Sequence, residues 1–389
     1  MRSIYLDHNA TTPVDPRVLE AMLPYLREKF GNASSKNHSY GWAANEAVEA
    51  AREKTAALLG AAPRDVVFTS GATEANNIAL LGLFAANPGK RNQIITDTIE
   101  HHAVLDTTIE LGRRGIDVVL LRPDASGRIS PEQVKAAVSD RTLLVSVMAA
   151  NNELGTLNPI AEIAAAAKAA GAYFHTDAAQ AAGKVPIDVE AMGIDLLALS
   201  GHKFYAPKGV GALFVRSRGS RVRLAAVTHG GGQERGLRPG TLNVPGIVAL
   251  GEAAAVARSD LPAEMKRLRA LRDRLHQALT SRLSGVRLNG HPDERLPGTL
   301  NVSFEGVDGT ALLVSLPELA LSSGSACTTG STEPSYVLKA IGVPDALALA
   351  TARLSVGRFT TEEEVDAAAS QVVAAVSKLR AQMAQVVGR

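Results

Sequence analysis

The sequence predicts an α/β fold, built on a mainly parallel sheet of seven strands with helices on both faces. Short runs rich in β-branched residues alternate with Ala/Leu-rich segments of helical length. The runs are almost continuously apolar, which is typical of strands buried on both faces of a sheet. In such a fold we expect the ligand site beyond the carboxyl ends of the strands.

The seven predicted strands lie between residues 65 and 215, with helices between most of them. In chain order they are DVVFT (65–69), QIITD (93–97), IDVVLL (116–121), TLLVSVM (142–148), AYFHTD (172–177), DLLALS (195–200) and GALFV (211–215). The covering helices include EANNIALLGLFAA (74–86) and IAEIAAAAKAAG (160–171). This alternation predicts crossover connections that cover the sheet.

After about residue 258 the sequence has fewer strand-like runs and longer charged helices, which predicts a second, smaller α+β domain. It opens with a charged helix at 261–283 and closes with an amphipathic helix at 361–383. Thr361 and Glu364 have the spacing of a capping box at the start of that last helix. We therefore predict a large domain at 16–258 and a small domain formed by 1–15 and 259–389.

The composition is that of an ordinary globular chain: 389 residues, 46% hydrophobic and 21% charged, with a net charge of +2. Basic and acidic residues are interspersed, so no nucleic-acid footprint is expected. The sequence lacks an apolar run of about 18 residues that would predict a membrane span. Its first residues reach Asp7 before any apolar segment of a secretory signal. We therefore expect a cytoplasmic protein that contacts neither membrane nor nucleic acid.

The single cysteine, Cys327, lies in the polar run SSGSACTTG (322–330). Free cysteines usually lie in buried, apolar surroundings, so this setting is unusual. By itself it fits an idle thiol as well as a nucleophile. One cysteine does exclude an intrachain disulfide and a cysteine-cluster zinc site.

Polar groups follow several predicted strands. Ser70 and Thr73 flank a turn that could cradle an anion at a helix start, or Thr73 could simply cap that helix. Asp177 closes an apolar strand as a partly desolvated carboxylate, or caps a helix. Lys203 follows the next strand, where a desolvated amine can form a Schiff base, although most lysines have no such role.

Histidines and asparagines follow two further strands. His101 and His102 could stack on a ring, move protons or make only structural hydrogen bonds. They match no metal-binding spacing, so a zinc site is not expected there. Asn151 and Asn152 could bind a carboxylate or form a turn.

Together these groups indicate pyridoxal phosphate. The cofactor needs a lysine for the Schiff base, a carboxylate for its ring nitrogen and a helix end for its phosphate. Lys203 comes 26 positions after Asp177, each at the end of a predicted strand.

The chain resembles cysteine desulfurases of the nitrogen-fixation and iron–sulphur-cluster assembly type, in the class V aminotransferase branch of the fold-type I pyridoxal-phosphate enzymes. The resemblance runs from about residue 4 to the final helix, and the long SSGSACTTG form is similar to the first of the family's two groups. The motifs that carry it are LDHNATTPVDP, TSGATEANN, HTDAAQ, SGHKFYAPKGVG, RPGTLNV, LSSGSACTTGSTEPSY and RLSVGRFTTEEEVD.

The resemblance implies a set of site residues. The large domain would bind pyridoxal phosphate and the small domain would carry the Cys327 loop. Catalytic roles fall to Lys203, which would hold the cofactor as a Schiff base, to His101, stacked on the ring and assisting proton transfer, and to Cys327. The implied cofactor-binding residues are Ala72, Thr73, His101, Asp177 (ring nitrogen), Gln180 (ring hydroxyl), Ser200, His202, Lys203 and Thr241 from a second subunit. The implied substrate-binding residues are Asn152 and Arg353.

The implied reaction converts L-cysteine into L-alanine and leaves the sulphur on Cys327 as a persulfide. The implied partners are a second copy of the chain and an iron–sulphur scaffold protein or another sulphur acceptor. Cys327 is also a candidate ligand of an iron–sulphur cluster in transit. Two alternatives stay open: a selenocysteine lyase or other class V enzyme, which would not need Cys327, and a non-catalytic sulphur carrier or scaffold, which would not need Lys203 and Asp177.

Overall fold

The computed structural model describes residues 3–219, 221–323 and 333–387. Its central sheet has seven strands in the order β2-β8-β7-β6-β5-β3-β4. These strands are β2 (Val66–Thr69), β3 (Gln93–Asp97), β4 (Asp117–Leu121), β5 (Thr142–Ser146), β6 (Tyr173–Asp177), β7 (Leu196–Ser200) and β8 (Gly211–Val215). β8 is antiparallel to both neighbours and the other pairings are parallel. The predicted α/β class and mainly parallel sheet are confirmed.

Helices cover both faces of this sheet. They are α1 (Pro16–Arg27), α2 (Ser39–Leu59), α3 (Ala72–Ala86), α4 (His102–Arg113), α5 (Pro131–Ala137), α6 (Ile160–Ala169) and α7 (Val244–Thr280). Successive strand residues point to opposite faces, so Val66 and Phe68 join the core beneath α1, α2, α6 and α7. Val67 joins the core beneath α3 and α4. Burial on both faces explains the continuous apolar runs of the sequence.

A second layer follows the central sheet. It contains β9 (Val286–Leu288), β10 (Thr299–Phe304), α8 (Gly309–Val314), β11 (Leu319–Ala320), α9 (Tyr336–Ala340), α10 (Asp345–Leu349), β12 (Thr351–Ser355) and α11 (Glu362–Val387). β12, β10 and β9 form an antiparallel sheet, and β1 (Ile4–Tyr5) pairs in parallel with β11. Ile4 and Leu6 thereby enter the second apolar core, together with Leu268 of α7.

The helix predicted at 261–283 begins 17 residues earlier, at Val244. Its first half is alanine-rich and packs in the core of the large sheet, through residues such as Ala253 and Ala257. Its second half, from Leu268, packs in the second core. The predicted boundary at 258/259 therefore lies inside one continuous helix, and the division into two domains stays a prediction.

The final helix begins as its sequence predicts. The Thr361 hydroxyl accepts a hydrogen bond from the Glu364 backbone, and the Glu364 carboxylate accepts one from the Thr361 backbone, at 3.2 and 3.1 Å. None of the helices in the described part of the chain is long and apolar enough to cross a membrane.

Candidate active site

A cavity of about 530 Å³ lies at the carboxyl ends of β2, β6 and β7, where the fold class predicts a ligand site. Most of the predicted site residues line it. They are Ala72, Thr73, His101, Asn152, Asp177, Gln180, Ser200, His202, Lys203 and Arg353.

Two predicted site residues are not part of this cavity as described. Thr241 is exposed and does not line it; its predicted role was in the site of a second subunit. Cys327, the predicted nucleophile and candidate cluster ligand, lies outside the described residues.

Helix α3 starts at the cavity wall. Its cap is Gly71, without a side-chain hydrogen bond, so the alternative in which Thr73 caps the helix is wrong. A side chain at Gly211 of β8 would place its Cβ 2.7 Å from the Gly71 Cα and 2.5 Å from the Leu199 oxygen. Glycine is therefore needed where β8, β7 and the start of α3 approach one another. The backbone N–H groups of the first helical turn lack intrahelical partners and favour an anion.

Lys203 follows β7 in a short 3₁₀ turn, Gly201–Lys203. Its Nζ donates to the backbone oxygens of Asn9 and Ala10, at 2.7 and 2.8 Å. The amine is thus held at the cavity by backbone groups of the N-terminal segment.

Asp177 ends β6 and is only 5% exposed. One carboxylate oxygen accepts from the Asn76 amide at 2.7 Å, the other from the Ala179 backbone at 2.8 Å. Both donors are neutral. A buried carboxylate with neutral donors is stabilised further by a cation, and the protonated ring nitrogen of pyridoxal phosphate is such a cation.

His101 caps α4, since its Nδ1 accepts a hydrogen bond from the Ala103 backbone at 3.0 Å. In the neutral ring the proton therefore lies on Nε2. Burial lowers the pKa of His101; Asp177 opposes this shift and Lys203 adds to it. The protonated ring would also turn an Nδ1–H toward the Ala103 N–H. His101 is therefore a neutral ring that can donate from Nε2.

His202 and Ser200 lie beside the start of α3. A Cβ at Gly71 would lie 3.4 Å from the Ser200 hydroxyl oxygen. His202 Nδ1 is 3.1 Å from the Thr11 hydroxyl. Burial lowers the pKa of His202 to about 4, and the nearby Lys203 and Lys208 add to the effect. Its ring is thus a neutral hydrogen-bonding group at neutral pH.

Arg353 of β12 reaches the cavity from the second layer and is 1% exposed. It forms an ion pair with Asp7 and donates to the Asn152 backbone oxygen at 3.0 Å. Its Nε is buried without a hydrogen-bond partner among the described residues. Arg353 lines the cavity, and its guanidinium is a cation that suits an anionic ligand.

Asn9 also lines the cavity, although its motif predicted no role for it. It is 3% exposed, and its backbone oxygen accepts from both Lys203 and the Gln180 amide. The signal was its place in LDHNATT, one of the motifs of the resemblance. Its contact with the cavity could not be read from the sequence, because Gln180 is 171 residues away.

The described residues fit pyridoxal phosphate. A lysine amine, a buried aspartate with neutral partners, a neutral histidine and an uncapped helix start line one cavity of suitable size. Each would supply one group that the cofactor needs, for its aldehyde carbon, ring nitrogen, ring face and phosphate respectively.

The chain is also similar to proteins of a known family. The family model of the class-V aminotransferases matches residues 4–368. A cysteine desulfurase IscS of Anaeromyxobacter dehalogenans is 54% identical over 377 residues, 97% of this chain and 93% of that protein. One of Rickettsia rickettsii is 49% identical over 378 residues, 97% of this chain and 92% of that protein.

Two solved structures are also similar. A NifS-like protein has a TM-score of 0.90 and 38% identity, and the match covers 97% of this chain and 100% of that one. SspA in complex with cysteine has a TM-score of 0.82 and 41% identity, and the match covers 92% and 100%. With the family model matching most of its length, the chain belongs to the class-V aminotransferase family of pyridoxal-phosphate enzymes.

Proposed function

We propose that this chain is a cysteine desulfurase, which converts L-cysteine into L-alanine and passes the sulphur to Cys327 as a persulfide. The observation that carries the proposal is the convergence of Lys203, Asp177 and Arg353 on one cavity. The names of the relatives and the cysteine in the SspA complex support the same substrate.

The proposed cofactor roles are those that the resemblance to the family implies. Lys203 would carry pyridoxal phosphate, Asp177 would face its ring nitrogen and Gln180 its ring hydroxyl. The residues proposed for the phosphate are Ala72 (through its backbone), Thr73, Ser200 and His202, with Thr241 supplied by a second copy of the chain. When bound, the cofactor supplies an electron sink for the charge left by the substrate's α-proton.

The substrate's carboxylate would bind Arg353 and Asn152. Asp7 and the Asn152 backbone hold the guanidinium in place at the cavity. A neutral His101 would stack on the ring and donate a proton from Nε2. It could accept one only after its Nδ1 leaves the Ala103 backbone.

Sulphur transfer needs no outside oxidant. The Cys327 thiolate attacks the substrate sulphur, an S–S bond forms, and the substrate's C–S bond breaks. The carbon keeps the electron pair and takes a proton, which gives alanine and leaves the persulfide on Cys327. This role of Cys327 rests on the motif around it and on the relatives, since Cys327 lies outside the described residues.

A homodimer is part of the proposal. Phe30, Tyr40 and Trp42 are 68, 52 and 59% exposed, and the rings of Phe30 and Tyr40 lie 5.4 Å apart. An exposed aromatic group of this kind is typical of a surface that a partner covers. The scaffold protein or other sulphur acceptor and the cytoplasmic location are also proposals.

Two variants of the purified protein test the function. Lys203→Ala should lose the borohydride-sensitive visible absorption band and all alanine formation. Cys327→Ala should keep the band and bind cysteine but form neither alanine nor persulfide. Lys54→Ala, which removes an exposed lysine paired with Glu252, is the control and should behave as wild type.

The rates with L-cysteine decide the outcome. If Cys327→Ala released alanine from cysteine at the wild-type rate, the persulfide mechanism would be wrong. If Cys327→Ala lost no activity on selenocysteine and the wild type used cysteine poorly, the chain would be a selenocysteine lyase.

A further inference from the structure

Lys184 lies behind the wall of the active-site cavity, where the proposed reaction gives it no role. It lines a separate small cavity between the two layers, together with His8, Tyr205 and Glu264. Its Nζ donates to the Gln180 side-chain oxygen at 2.7 Å and lies 3.4 Å from the Asn9 side-chain oxygen. Lys184 therefore contacts two residues that do line the active-site cavity.

These two residues are joined to Lys203. The Gln180 amide nitrogen donates to the Asn9 backbone oxygen at 2.8 Å, and Lys203 Nζ donates to the same oxygen at 2.7 Å. The Asn9 side chain also donates to the Thr299 hydroxyl of β10 at 3.0 Å. Asn9 thus connects the amine of Lys203, the amide of Gln180 and the second layer.

An ammonium group has donors and no acceptor. Lys184 therefore holds the oxygen of the Gln180 amide on its own side and turns the NH₂ toward Asn9. A flipped amide would place its NH₂ against the ammonium and its oxygen against the Asn9 carbonyl. Both contacts would be repulsive. One of the two Gln180 N–H groups binds Asn9, and the second is left for a ligand.

We propose that Lys184 is a positioning residue of the cofactor site, which orients the Gln180 amide and, through Asn9, the amine of Lys203. The inference rests on the proposed roles of Gln180 and Lys203. Lys184 touches neither cofactor nor substrate in this assignment, so it acts only through its two neighbours.

The charges around Lys184 are consistent with this role. The pKa of Lys184 is lowered to about 7, mainly by burial and also by the positive charges of Lys203 and Arg353, whereas Glu264 opposes the shift. Below about pH 7, where Lys184 is charged, it disfavours a second positive charge at the cofactor–lysine linkage. Loss of this charge and loss of the Gln180 hydrogen bond should therefore both raise the pH at which the linkage loses its proton.

The test uses the purified holoenzyme without substrate. The pH midpoint at which its visible absorption band changes is measured for wild type, Lys184→Met, Lys184→Arg and the control Lys54→Met. Lys184→Met should raise the midpoint by about one pH unit, because both losses favour the protonated linkage. Lys184→Arg, which keeps a donor-only cation, should titrate within a few tenths of a unit of wild type.

A second readout is the dissociation constant of pyridoxal phosphate from each variant, which should rise about tenfold for Lys184→Met and stay at the wild-type value for Lys54→Met. If Lys184→Met titrated and bound the cofactor like Lys54→Met, or if Lys184→Arg were shifted as far as Lys184→Met, the inference would be overturned. Should Lys184→Met fail to fold, Lys184→Gln is judged by the same criteria.

The visible band of the wild-type protein distinguishes an error about Lys184 from an error about the cofactor site. A wild-type protein with no visible band after addition of pyridoxal phosphate would contradict the roles of Lys203 and Gln180 themselves. A normal wild-type band with an unshifted Lys184→Met midpoint would contradict only the role of Lys184.

Discussion

The guanidinium of Arg353 and the carboxylate of Asp7 form an ion pair of 2.8 Å between β12 and the N-terminal segment. The Arg353 side chain is 1% exposed and that of Asp7 is 17% exposed. Ser322 completes the arrangement, since its hydroxyl accepts from Arg353 at 2.9 Å and donates to Asp7 at 3.0 Å. The proposed carboxylate-binding arginine is therefore held in place before any substrate arrives.

Removal of Asp7 should destabilise the fold. Asp7→Ala would leave a buried guanidinium without its counter-charge, which costs about 3–5 kcal/mol in the free energy of unfolding. Urea unfolding followed by circular dichroism measures this change. Asp366→Ala removes one partner of the half-exposed Arg274 pair and should cost less than about 1 kcal/mol. Equal losses for the two variants would contradict the prediction.

Arg353→Lys should weaken the binding of L-cysteine. Lysine keeps the positive charge but lacks the planar guanidinium fork that Asp7 and the Asn152 backbone hold in place. We expect KM for L-cysteine to rise about tenfold or more, with a smaller change in kcat. Steady-state alanine formation measures both constants. An unchanged KM would show that Arg353 does not bind the substrate.

Two buried carboxyl groups behind His101 should make stability depend on pH. Asp97 and Glu100 are fully buried, and both Glu100 oxygens lack a hydrogen-bond partner among the described residues. Burial raises the pKa of Asp97 to about 7 and raises that of Glu100 well above its usual value, with help from Asp97. The folded chain therefore holds more protons than the unfolded chain between about pH 4 and 7.

Because of this difference, these groups should lower the free energy of unfolding as the pH rises through that window. Asp97→Asn keeps an oxygen for the Ile99 backbone and removes one titration. The variant should therefore gain stability relative to wild type at pH 8, and this gain should shrink toward pH 4. Urea unfolding across this range measures it, with the exposed Asp140→Asn as control. A constant difference at every pH would count against the buried-carboxyl explanation.

The strands of the large sheet could be predicted to within two residues at each end. QIITD and GALFV match β3 and β8 completely, because buried strands need consecutive apolar, β-branched residues. The start of α7 could not be predicted as well. The charged residues from Leu261 onward indicate only the half of the helix that leaves the large core. The alanine-rich half before it has no comparable pattern of charged residues.

The sequence alone determined which chemistry each strand end carries. Asp177, Ser200 and Lys203 lie at or just after strands whose local apolar pattern sets where they end. Their proposed roles rest on the motifs of the family. These groups meet at one edge because the carboxyl ends of parallel strands lie together, and the same local patterns predict a parallel sheet.

Only the tertiary structure decided what surrounds these groups. Asn9 reaches Lys203 and Asp7 reaches Arg353 across 194 and 346 positions of the chain. Those contacts depend on the pairing of β1 with β11 and on the packing of Leu6 in the second core. Lys184 approaches Asn9 across 175 positions for a similar reason, since its burial depends on both layers. Hydrogen bonds over such separations are set by packing, which leaves no local pattern in the sequence.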